Sequence, residues 1–261
     1  MAYGNYGLFP GSIPLKDLTT ARGWRYHWRD NGPVITTCIG LVCIAIWIVE
    51  FFLWLVSKPA LNSLLVLNTF IPAYAISQPW TALLAMFTHQ PSSITHILFN
   101  MLTLWALGPL LERMMGHWPF LVLYLLSGFG GHVGMLLWAV IDPSGSGWVT
   151  GSYGASGALF GLFAAIFVVY RRIGMDVTSL LVWLGLNLIM PFLTPGIAWQ
   201  AHVGGFIVGG IFTYALVSGF RQLRGKSLAY RSAVYGGLTF GVLVLLYVVL
   251  GLQNPWIGFL F

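Results

Sequence analysis

Charge is nearly missing from this sequence. Asp, Glu, Lys and Arg make up 7% of its 261 residues, where a soluble domain carries about a quarter. So few charges cannot tile a water-facing surface, which excludes an ordinary soluble fold and leaves lipid as the solvent for most of the chain. Cysteine is scarce as well. Cys38 and Cys43 both fall in the first apolar run, five residues apart and so on different helix faces, which reads as packing. No Cys/His cluster has the spacing of metal ligands and no H-E-x-x-H occurs, so no metal, no other cofactor and no metalloprotease is indicated. The net charge of +6 is scattered in short clusters beside apolar runs, which is no nucleic-acid footprint. A cleavable signal peptide is not expected, because the first 33 residues are polar and aromatic. There is no long internal repeat and no separate soluble domain.

What the chain does have is 58% hydrophobic residues and twelve Trp, which suits anchoring at two membrane interfaces. A helix needs about 20 apolar residues to cross a bilayer. Seven runs qualify as candidate spans: 34–56, 94–111, 118–140, 153–170, 177–193, 200–218 and 232–252. Eleven of the twelve Lys and Arg residues fall on one side of this alternation and only Lys58 on the other. Positive residues favour the cytoplasm, so the expected orientation is N-terminus cytoplasmic and C-terminus outside, in a multi-pass protein of the cell membrane. The run Arg22 to Arg29 reads as a juxtamembrane anchor beside anionic lipid. Residues 57–93 are expected to form a partly embedded structure on the outer side. Residues 142–152, rich in Gly and Ser, are expected to be flexible.

Polar groups inside a bilayer are costly and each needs a reason. Spans 2, 4 and 6 all start on the outer side, and each starts with polar groups. Span 2 has His96 and Asn100, one helical turn apart; span 4 has Gly154-Ala155-Ser156-Gly157; span 6 has Ala201-His202-Val203-Gly204-Gly205. Taken singly, each has a bland explanation: small residues aid helix packing, and a lone His or Asn can bond a neighbouring helix. Together they form a set. Gly157 with Gly161 and Gly205 with Gly209 have the spacing that lets two helices approach closely. Close approach of spans 4 and 6 would bring His202 to Ser156 as base to nucleophile. His96, Asn100 and the Ser156 N–H would then face a developing oxyanion. Phe160, one turn below Ser156, is placed to pack behind His202. Glu50, His132 and His89 read as structural or supporting, and Asn187 and Pro191 as weak points of span 5.

The ordered set His96-x-x-x-Asn100, Gly154-x-Ser156-Gly157 and Ala201-His202-x-x-Gly205 resembles the rhomboid family of intramembrane serine proteases, over about 79–216. The resemblance implies an all-α polytopic membrane protein with a rhomboid-like six-helix core plus a seventh C-terminal transmembrane helix. The expected organisation is a cytoplasmic segment 1–33, a core 34–220 that includes the outer loop 57–93, and a basic loop with span 7 at 221–261. The resemblance also implies a Ser156–His202 dyad without a carboxylate, an oxyanion site at His96 and Asn100, and supporting roles for Gly154, Gly157, Phe160 and Gly205. Glu112, with Gly116 four residues on, fits a Glu expected at the inner end of span 2. Span 5 corresponds to a region linked to substrate entry. Three features depart from the family pattern. Trp80 is followed by Thr81 where Arg is frequent, Phe160 stands where Tyr is common, and the stretch between His89 and His96 is longer. The implied function is an endopeptidase that cuts transmembrane protein substrates in the lipid bilayer near the outer face. The alternatives are a non-catalytic rhomboid-like protein that binds membrane clients, and a small transporter.

Overall fold

The computed structural model describes residues 12–193 and 197–259. Among them the α-helices are α1 (Leu15–Leu18), α2 (Ala21–Arg29), α3 (Val34–Val56), α4 (Lys58–Asn68), α5 (Thr81–Leu84), α6 (Ile94–Met115), α7 (His117–Ile141), α8 (Ser146–Val149), α9 (Ser156–Ile173), α10 (Thr178–Leu193), α11 (Trp199–Ser218) and α12 (Leu228–Gly251). Six of them, α3, α6, α7, α9, α11 and α12, are long and apolar enough to cross a membrane. The chain is a multi-pass membrane protein. The expected fifth span corresponds to α10, whose qualifying apolar stretch, Thr178–Asn187, is shorter. Asn187 turns its amide back to the Trp183 carbonyl at 2.8 Å, and the side chain of Pro191 lies outside the described residues.

Burial shows which helices make the core. Two thirds (67%) of the most apolar stretch of α7 is buried, against 22% for α3 and 28% for α12. With lipid as solvent, apolar side chains gain little from facing one another, so close backbone packing must carry the association. Glycine supplies it. A Cβ on Gly209 would stand 2.5 Å from the Gly161 Cα, and one on Gly205 would overlap the Gly157 carbonyl oxygen. The two small-residue pairs of α9 and α11 therefore do meet. On α7, a Cβ on Gly131 would lie 2.7 Å from the Ala201 carbonyl oxygen, and one on Gly134 would lie 2.8 Å from that of Gln200. Helix α11 is thus seated between α7 and α9 with its backbone against both. The density of glycine from Gly128 to Gly134 carried this signal in the sequence, but nothing there assigned it a partner.

At the end of α6 away from His96, Glu112 is fully buried. It accepts hydrogen bonds from Ile35 N (2.8 Å), Thr36 N (2.8 Å) and Thr36 Oγ1 (2.7 Å). These N–H groups belong to the first turn of α3, which has no intrahelical partner for them. A carboxylate from α6 therefore caps α3, at the dipole end that favours negative charge. His117 Nδ1 lies 2.5 Å from the same carboxylate, its Nε2 donates to the Trp28 carbonyl at 2.9 Å, and its ring stacks on Trp28. Helix α2 is in this way fastened beneath the bundle.

The segment 57–93, expected on the outer side, folds into α4, a 3₁₀ turn at Pro72–Tyr74 and α5. Phe70 stacks on His132, whose Nδ1 donates to the Ala82 carbonyl at 2.9 Å. From α12, Tyr247 donates to the Ala75 carbonyl (2.9 Å), and just beyond it Asn254 donates to that of Ala73 (2.7 Å). Trp80 donates to the Leu67 carbonyl at 3.1 Å, and Thr81 to that of Gln78 at 2.7 Å, so the departure at residue 81 leaves this turn internally bonded. The stretch 142–152, expected to be loose, is instead ordered. Asp142 accepts from Ser144, Ser146 and the Gly147 N–H, and Ser152 pairs with Phe70.

Candidate active site

Span 4 starts three residues later than the apolar run suggests, and the reason is Gly154. Its φ of 127° is a conformation that residues with a Cβ rarely adopt. Its N–H donates to the Ala85 carbonyl at 2.8 Å, which turns the chain so that Ser156 becomes the first residue of α9. Gly154 also makes room. A Cβ there would sit 2.9 Å from His96 Nε2 and 3.9 Å from Ser156 Oγ, so both atoms border the same small space.

The glycine contacts below determine what reaches Ser156 from α11. His202 Nε2 lies 2.9 Å from Ser156 Oγ. For Nε2 to accept the hydroxyl proton, the ring's own proton must sit on Nδ1. Nδ1 is buried and has no hydrogen-bond partner among the described residues. Among the described residues no carboxylate orients this imidazole; stacking does. The Phe160 ring lies parallel to it, with centroids 4.2 Å apart and planes 9° apart. Ring packing behind the histidine thus survives the replacement of Tyr by Phe.

From α6, Asn100 Nδ2 donates to the His96 carbonyl at 2.8 Å, one turn back on its own helix. An amide has two N–H donors, so this bond fixes the side chain and leaves the second free. His96 Nδ1 accepts from the Gln90 N–H at 3.1 Å. Tyr153 donates to the Gln90 side-chain carbonyl, a contact that no motif announced. His89 is fully buried in the loop before α6, with its ring 5.2 Å from that of His96. Burial, with His96 beside it, holds its imidazole down to about 3, so it is neutral at physiological pH, and Nδ1–H donates to the Phe87 carbonyl at 3.1 Å. Gly157 and Gly205 act through helix contact, as described above. Among the described residues, no three His, Cys, Asp or Glu side chains gather as a metal site would require.

Asp142, the nearest outer-loop acid in sequence, is committed elsewhere. The bonds from Ser144, Gly147 and Ser146 hold its carboxyl down to about 2. Phe160→Ala is therefore expected to lower turnover about tenfold or more, since a misplaced base forfeits much of its contribution of 10²–10⁴. Asp142→Ala should stay within about twofold of wild type, as an exposed substitution away from the site. Steady-state cleavage with thermal melts as folding controls would measure both. Equal losses would remove Phe160 from the positioning of His202.

The Rhomboid domain family model matches residues 77–219. The chain is 28% identical over 194 residues to the Bacillus subtilis protein YdcA, covering 71% of this chain and 89% of that one. It is 29% identical over 171 residues to rhomboid protease AarA of Providencia stuartii, covering 57% of this chain and 60% of AarA. To rhomboid protease GluP of Bacillus subtilis it is 34% identical over 130 residues, 47% of this chain and 23% of GluP.

Proposed function

This chain belongs to the rhomboid family, and we propose that it is an intramembrane serine endopeptidase that hydrolyses transmembrane protein substrates near the outer membrane face. The observation that carries the reading is the 2.9 Å approach of His202 Nε2 to Ser156 Oγ, beside a space that His96 Nε2 also borders. A serine hydroxyl is a weak nucleophile until an adjacent base takes its proton. In this reading His202 takes that proton as Oγ attacks the scissile carbonyl carbon. The carbonyl oxygen gains negative charge in the space under Gly154, where His96 Nε2–H, the free N–H of Asn100 and the Ser156 N–H meet it. His202 then returns the proton to the leaving amine as the peptide bond breaks, leaving an acyl-Ser156. Water, deprotonated by His202 in turn, hydrolyses the ester and restores both groups.

The core at 34–220, with span 7 appended, sits in the cell membrane with its N-terminus cytoplasmic and its C-terminus outside. The Lys/Arg asymmetry supports this, and cysteines introduced at the two ends should label from opposite sides; labelling from one side would overturn it. The activity is tested with a fluorophosphonate probe and a panel of single-span substrates. Purified protein should be labelled at Ser156 and should cut at least one substrate, both lost in Ser156→Ala. A folded protein that binds such substrates, resists the probe and cuts none would be a client-binding member of the family instead.

A further inference from the structure

We propose that Trp47 and Glu50 on α3 are positioning residues that fix which nitrogen of His96 carries its proton. The inference rests on the reading of His96 as a donor to the oxyanion. An N–H that points at an imidazole nitrogen requires a lone pair there. The Gln90 N–H, 3.1 Å from His96 Nδ1, therefore makes Nδ1 the acceptor and places the proton of the neutral ring on Nε2. Nε2 is the nitrogen that borders the space beside Ser156 Oγ. With the proton on Nδ1 instead, a lone pair would face the oxyanion and repel it.

The Gln90 N–H holds its aim only if residues 89–90 stay in place, and α3 clamps both. Glu50 Oε2 accepts from His89 N at 3.1 Å, and Trp47 Nε1 donates to the Gln90 carbonyl at 3.2 Å. Residues 47 and 50 are three apart and share one face of α3. Glu50 is completely buried in the middle of an apolar run. A carboxyl there is costly, and its bond to the loop N–H gives it a structural return. No other helix that can cross the membrane bonds the backbone of residues 89 and 90 among the described hydrogen bonds, apart from the His96 contact itself.

The test reads His96 directly. Protein labelled with ¹⁵N in the histidine rings is reconstituted in lipid, and the His96 signals are identified by their loss in His96→Gln. The wild type should show Nε2 protonated and Nδ1 bare. Glu50→Leu should give a mixture of the two tautomers. It should lower kcat about tenfold with KM within about twofold, less than the 10²–10³ lost with a whole oxyanion donor. Trp47→Phe should move both readouts the same way by less. Glu50→Gln, which keeps a carbonyl oxygen for the His89 N–H, should restore both. A Glu50→Leu protein with wild-type His96 signals overturns the proposal, as does a Glu50→Gln protein as impaired as Glu50→Leu. If Glu50→Leu does not fold, Trp47→Phe decides by the same two readouts. The ring spectra need no turnover, so failure of the proteolytic reading shows separately, as a wild type that cuts nothing while its His96 tautomer responds to Glu50.

Discussion

Ser156→Ala and His202→Ala each abolish cleavage, and the double variant is little worse than either. This is the expected result if the two side chains act as one unit, because removing either leaves nothing for the other to do. In a serine protease with a full triad, loss of the nucleophile or base alone costs about 10⁶ in kcat. In the proposed reading the unit is smaller. The His202 ring is set by Phe160 and by the seat of α11 on α9, with no acid bonded to Nδ1 among the described residues. The residual rate of each variant should therefore be that of the oxyanion site and substrate binding alone. The measurement is cleavage of a single-span substrate in liposomes, over a range wide enough to rank the residual rates, with folding checked by thermal melt. Losses that multiply in the double variant would mean that Ser156 and His202 do separate work. A folded Ser156→Ala protein that still cuts would end the serine mechanism.

Asn100→Ala is expected to lower kcat by about 10²–10³, the usual loss when one oxyanion donor is removed. The remaining donors, His96 Nε2–H and the Ser156 N–H, would bring the loss toward the lower figure. KM should hardly move, since the donor is aimed at charge that exists only in the transition state. Asn100 lies on α6 and, among the described residues, bonds back to its own helix, so the substitution should leave the Ser156–His202 distance intact. Active-site labelling by a fluorophosphonate offers a check, because labelling should slow while stoichiometry stays complete. An unchanged kcat would remove Asn100 from the site.

The candidate residues were easier to read from the sequence than the contacts that support them. Ser156, His202 and His96 could be read as a group because each is a polar residue at the outer end of an apolar run, and the spacing of Gly157, Gly161, Gly205 and Gly209 states which helices touch. Helix α3 was legible to the residue, since the run between Pro33 and Ser57 is apolar except for Thr36, Thr37 and one Glu. The start of α9 was not, because Tyr153 is as apolar as a helix residue and the break comes from one backbone angle at Gly154. The ordering of 142–152 was missed because composition reports how free a chain can be, while the Asp142 bonds determine how free it is. Glu50 was passed over for a related reason. Its partner is a backbone N–H 39 residues away, and backbone groups leave no mark on a sequence.

The bonds from Tyr247 to Ala75 and from Asn254 to Ala73 join positions 172 and 181 residues apart. A ribosome makes the outer loop early and α12 late. The loop's carbonyls at 73 and 75 must therefore wait, through the insertion of every intervening helix, for the donors that pin them. Until then the stretch has its other tethers, among them those to His132, Ser152, Gly154 and the α3 residues Trp47 and Glu50. The order of synthesis thus makes the outer loop one of the last parts of the molecule to settle, and makes α12 the helix whose arrival completes it.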